Sequence, residues 1–145
     1  MAISSAVCSS FKQELLQGKH TFSSSGGHNF KIALFDSDAS LGAATTEYST
    51  SEEITNTSGT AYTSGGATLT SVTPVASSTT AICDFSDVSY SSASFTANGA
   101  LIYNSSDSNA AVCAIDFGSD KTATNGTFTI QFPTADATNA IIRLA

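Results

Sequence analysis

The residues able to do chemistry are few and scattered. His20 and His28 flank a Ser/Gly run, eight positions apart. Such a pair could hold a metal or shuttle a proton. No Asp or Glu stands beside them in sequence to complete a ligand set, so they read as solvated loop histidines. Asp36-x-Asp38 and Asp116-x-x-x-Asp120 are carboxylate clusters closing predicted strands. Hard oxygen ligands suit Ca²⁺, but neither cluster sits in an EF-hand loop or a Ca²⁺-binding repeat. Asp after a strand ordinarily makes an Asx turn, and that is the simpler reading. The chain holds 25 Ser but no GxSxG elbow. It has no GxxxxGK[ST] or GxGxxG, and neither Gly26-Gly27 nor Gly65-Gly66 has a Lys beside it or a strand–helix context for phosphate. The expectation is no catalytic residue, no cofactor and no metal.

Cys8, Cys83 and Cys113 are an odd number at wide spacing, with no CxxC pair, so they form neither a disulfide framework nor a zinc site. Cys83 alternates with Ala81 and Phe85, and Cys113 with Ala111, Ile115 and Phe117. In strands these sets share one face, so both thiols read as small buried hydrophobes and a reducing compartment is expected.

Composition narrows the partners. The 145 residues carry 5 Lys+Arg against 12 Asp+Glu, a net charge of −7, and only 12% of them are charged. Ser and Thr together supply 45 residues. Five scattered cations build no basic patch, which excludes nucleic acid and anionic membrane surfaces as expected partners. No apolar run reaches the roughly 18 residues of a spanning helix, and the N-terminus has no secretory pattern. The N-x-[ST] triplets at Asn56, Asn104 and Asn125 are about what chance supplies at this Ser/Thr content.

The chain reads as one β-rich domain, an antiparallel sandwich or barrel over residues 28–145 preceded by a helical arm over 1–18. Within the arm, Val7, Phe11 and Leu15 recur at helical spacing and Leu16 widens the stripe, predicting a helix over 4–17. Ser9 or Ser10 is the expected cap and Gly18 the stop. A first strand covers Phe30–Phe35. Thr50 and Glu53 have capping-box spacing, which predicts a single helical turn, and Gly59, Gly65 and Gly66 mark turns. Further strands are expected at Ala67–Val75, Thr80–Asp84, Val88–Phe95, Gly99–Tyr103, Ala111–Phe117, Thr127–Phe132 and Ala140–Leu144. Asn104–Asp107 reads as a hairpin loop and Asn125-Gly126 as a tight turn. Pro74 and Pro133 belong at strand edges or ends. The Ser/Thr-rich exterior reads either as a sugar-binding face or as a neutral, β-forming surface. With no Trp and four Tyr it is poor in stacking platforms for sugar.

The order of Ser10–His20, Phe30–Phe35, Tyr48–Thr50, Thr60–Leu69, Gly99–Asn104, Phe117–Lys121 and Gly126–Pro133 resembles small structural proteins of tailed bacteriophages, especially those of marine and cyanobacterial hosts. Many of these are capsid-associated cement or decoration proteins. The resemblance implies a non-enzymatic virion protein on the capsid surface, assembled in the host cytoplasm. Its implied partners are the major capsid protein lattice and further copies of itself, commonly as a homotrimer. A neck or tail adaptor and a host-adhesion module are the alternatives. The resemblance carries no functional residue by position. The apolar stripe Val7, Phe11, Leu15 and Leu16 needs a docking surface, either a partner or the chain's own sheet.

Overall fold

The structure is a computed structural model that describes residues 2–55 and 62–145. The Asn56 triplet and the turn expected at Gly59 lie outside the described residues. The elements are β1 (Ala6–Val7), α1 (Ser9–Leu16), β2 (Phe30–Phe35), β3 (Ala67–Thr68), β4 (Ser71–Ser77), β5 (Thr80–Phe85), β6 (Val88–Asn104), β7 (Ala110–Ile130) and β8 (Ile142–Leu144). They form a mainly β, sandwich-like fold and not a closed barrel. One sheet has five strands in the order β1-β7-β6-β2-β3, the other three in the order β4-β5-β8, and every pairing is antiparallel.

The large sheet is buried on both faces at its centre. Phe30 pairs with Asn104 and Lys31 with Tyr103. Neighbouring register pairs point to opposite faces. On one face, Phe30 stacks on Phe22 at 4.3 Å and meets Phe85 of the small sheet at 5.8 Å. On the other, Tyr103 stacks on Tyr48 at 4.4 Å. This double cover explains why Ala100–Asn104 is buried throughout rather than alternating.

Several expected boundaries move, each because a non-local partner outweighs local pattern. The helix is shorter than 4–17. Ile3 bridges Leu41, and Ala6 and Val7 pair with Ala114 and Cys113, so these backbones join the sheet before a helix can start. The N-cap is Cys8, with extended backbone and no side-chain cap bond, in place of Ser9 or Ser10. The stop at Gly18 holds. At φ +73° it closes a Schellman motif, Gly18 N–H to Leu15 O and Lys19 N–H to Glu14 O, both at 3.1 Å. Ala67–Val75 divides between β3 and β4, which lie in different sheets. Pro74 sits on edge strand β4 at a register shift between Val72 and Val75, where its missing N–H costs no ladder bond.

The strands expected at 88–95 and 99–103 are one strand, β6, and those at 111–117 and 127–132 merge into β7. Asn104–Asp107 does open the loop of their hairpin. Asn125-Gly126 is not a turn. Asn125 takes φ 46° at a register shift, a bulge inside β7. The left-handed conformation that Asn tolerates serves a bulge as readily as a turn. A second bulge opens between the Ala97–Lys121 and Gly99–Asp116 pairs. The turn at 50–53 is also not helical. Glu52 has φ 60°, and Glu53 bridges Phe35 on β2.

Gly66 shows how tightly the β2–β3 junction is drawn. It has φ +77°, and a Cβ there would collide with the Ile32 carbonyl. Gly18 has a similar φ with open space around it. Gly18→Ala is expected to cost about 1 kcal/mol from backbone strain alone. Gly66→Ala adds a backbone clash, and its loss is expected to exceed about 3 kcal/mol in denaturant unfolding.

Candidate functional site

The apolar stripe of the arm is spent mostly on the chain itself. Val7 lies in β1 and is half-buried. Phe11 is fully buried, 4.8 Å from the His20 ring and 5.9 Å from Phe22, so it offers no surface to a partner. Leu15 is half-buried against the core. Leu16 alone faces solvent, 93% exposed. Beside it, α1 and the small sheet enclose an apolar cleft of about 190 Å³ lined by Leu15, Phe22, Pro74, Ile82 and Leu144 among others. Among the described residues, the remaining exposed large apolar side chains are Val72 and Val75 on β4 and Leu144 on β8. All four thus come from the elements that border this cleft, and none comes from the five-stranded sheet.

The histidines are not the solvated pair expected. The His20 side chain is fully buried, and its Nε2 lies 2.7 Å from Glu14 Oε2. The acid missing from the immediate sequence neighbourhood comes from the helix, six residues earlier, because the Schellman turn folds the chain back on itself. Asn104 Nδ2 reaches Nδ1 of His20 at 3.0 Å and of His28 at 2.8 Å. No sequence signal gives Asn104 this role, since pattern places it in a hairpin loop.

The carboxylate clusters behave as Asx turns. The Asp38 N–H donates to Asp36 Oδ1 at 2.9 Å, and the Gly118 N–H to Asp116 Oδ1 at 2.8 Å. Asp120 instead accepts from Asn98 Nδ2 at 2.9 Å. The fold does bring Glu52 beside Asp36 and Asp38, with carboxylate oxygens within 4.8 Å, on a half-buried to exposed surface.

Glu53 is the polar residue that sequence reading placed wrongly. Its carboxylate does not cap a helix. It accepts from the Tyr62 hydroxyl at 2.6 Å and the Gly65 N–H at 2.7 Å through Oε1. Oε2 accepts from the Tyr48 hydroxyl at 2.6 Å and the Ser64 hydroxyl at 2.9 Å. Burial, reinforced by the bond to Glu53, pushes the Tyr62 phenol up, and the Tyr48 phenol moves the same way for the same reasons. Both phenols stay protonated donors at neutral pH. Four donors saturate one buried carboxylate, so the group is committed to holding Tyr48, Tyr62, Ser64 and Gly65 together.

The cysteines are buried and free, as the alternation implied for Cys83 and Cys113. Burial pushes the Cys8 thiol up to about 11 and those of Cys83 and Cys113 to about 12. All three are protonated at neutral pH and poor nucleophiles.

Two outcomes follow. Glu53→Ala strands four donors, and its unfolding free energy is expected to fall on the order of 3 kcal/mol, against about 1 for Tyr48→Phe. Asp84 is buried, with Oδ2 lacking a partner among the described residues. Burial raises its carboxyl above the ordinary value of 3.8. The folded state therefore favours the protonated acid: the contribution of this group to stability is full below 3.8 and is lost as pH rises through the folded-state value. Asp84→Asn removes that loss, so the melting temperature of the variant minus that of the parent chain is expected to rise between pH 4 and pH 7.

No known protein family, curated protein or solved structure matches the chain.

Proposed function

We propose that the chain is a non-enzymatic structural protein of a bacteriophage particle that binds and stabilises the assembled capsid shell, in the manner of cement and decoration proteins. One observation carries the reading: among the described residues, all four exposed large apolar side chains, Leu16, Val72, Val75 and Leu144, lie on α1 and the small sheet, and Leu144 lines the apolar cleft between them. That end of the molecule is the one that would meet the capsid lattice or a neighbouring copy. The sequence resemblance supplies the particle, and these exposed apolar side chains supply the contact. A ligand that binds only the assembled shell stabilises it by mass action, and many copies add avidity.

The Ser/Thr exterior supports the same reading. The hairpin pairs Thr96 with Thr122 at 2.8 Å and Ser89 with Thr129 at 3.1 Å, hydroxyl to hydroxyl across its outer face. Such a surface is hydrated without dense charge, so copies can pack closely. Tyr62, Tyr90 and Tyr103 are buried, and Tyr48 lies against Tyr103. The four Tyr therefore offer no open platform for a sugar ring, which weighs against an adhesion module.

The test is binding of the purified chain to shells assembled from the capsid protein of the same phage, followed by cosedimentation and thermal rupture. Saturable binding that raises the rupture temperature is expected, with Leu16→Asp/Leu144→Asp losing at least tenfold in affinity while keeping its fold. Absence of the chain from purified particles would overturn the reading.

A further inference from the structure

Where the N-terminal segment meets the β6–β7 hairpin, one side-chain amide reaches both histidines. The Ser106 backbone N–H donates to Asn104 Oδ1 at 3.0 Å. A backbone N–H can only donate, so this bond fixes which end of the amide is oxygen. The –NH₂ then points toward both imidazoles, one hydrogen to His20 Nδ1 at 3.0 Å and one to His28 Nδ1 at 2.8 Å. Both rings must accept at Nδ1 and carry their proton on Nε2. For His20, that Nε2–H donates to Glu14 Oε2 at 2.7 Å. The amide is thus fully used: two hydrogens given and one bond accepted.

We propose that this cluster is a pH-operated latch, in which protonation of His20 and His28 releases the segment from α1 to His28 from the β6–β7 hairpin. A protonated imidazole carries N–H on both nitrogens. Its Nδ1–H would face the Asn104 –NH₂, donor against donor. Turning the amide over lets Oδ1 accept from the rings, but sets the –NH₂ against the Ser106 N–H and gathers two cations at one oxygen. No orientation satisfies all three neighbours once both rings are charged.

The other charged groups at the junction do not remove this conflict. Glu14, from α1, favours a cation on His20 but reaches only Nε2. Lys19, just beyond α1, lies 3.6 Å from Glu14 and 3.9 Å from Asp107 of the hairpin loop, which partly offsets both acids. Around the His20 ring stand Phe11, Phe22 and Phe30, with centroids 4.8 to 6.4 Å away, and these supply no acceptor. Release would expose Phe11 and Phe22, which are buried in the latched state.

The experiment follows thermal unfolding of the full chain from pH 8 to pH 5, with hydrogen exchange of residues 9–29 measured alongside. The parent chain is expected to lose several degrees between pH 8 and pH 5, with the protection factors of 9–29, taken against intrinsic exchange at each pH, falling at least tenfold at the acid end. Asn104→Asp presents only acceptors, so it is expected to reverse the slope and be more stable at pH 5.5 than at 7.5. Equal slopes in the two proteins would overturn the latch. If Asn104→Asp does not fold, imidazole ¹⁵N shifts of the parent chain decide the matter. Both rings as Nε2–H tautomers at pH 7.5 support the proposal, and an Nδ1–H tautomer on either ring overturns it.

Discussion

A carboxylate taken out of water must be met by donors, and in this fold that requirement organises the described residues between β2 and β3. Between β2 and β3 the described chain makes turns and isolated bridges but no helix or ladder. It is held by Glu53, whose two oxygens collect Tyr48, Tyr62, Ser64 and Gly65. The Tyr62 hydroxyl also accepts from the Leu34 N–H at 2.9 Å, tying the network to β2. Tyr48 in turn covers Tyr103, and Tyr103 donates to the Gly65 carbonyl at 2.6 Å. One face of the large sheet is therefore sealed by a polar network, while the other is sealed by aromatic packing. Removing the acid would strand its donors and loosen the cover over β6 at once.

The aromatic side works differently. Phe22, Phe30, Phe85 and Phe132 form a chain of ring contacts 4.3 to 6.2 Å apart that runs from the N-terminal segment through both sheets to the segment just past β7. Tyr62, Tyr90, Phe95 and Phe128 form a second chain along the far half of the hairpin. The long β6–β7 ladder links the two, which is why most of the tertiary structure can be described by what packs on its faces.

The strongly patterned parts of this fold were readable from sequence. β2 alternates over six residues, Gly18 ends the helix, and Cys83 and Cys113 sit in apolar strand patterns, so the mainly β class and the buried thiols could be anticipated. What could not be read were features whose partner is far along the chain. Ala6–Val7 looks helical until Cys113 and Ala114 offer a strand edge. Asn125-Gly126 looks like a turn until β6 runs past it. Thr50 and Glu53 match a capping box, but three hydroxyls and an N–H elsewhere compete for the carboxylate and win. The apolar stripe was legible as a set, yet its division into a buried Phe11 and an exposed Leu16 depends on where the helix lands.

The irregular edge of β7 has a consequence for how the protein behaves in bulk. Beyond Asp116 the strand pairs only with β6 among the described residues, and its register is broken so that no uninterrupted run exceeds Lys121–Ala123 or Phe128–Ile130. A foreign strand laid along that rim would find its ladder interrupted every few residues and a lysine in its path. The rim is thereby closed to templated fibre growth. Along this edge, a chain rich in β-forming residues is guarded against pairing with further copies of itself.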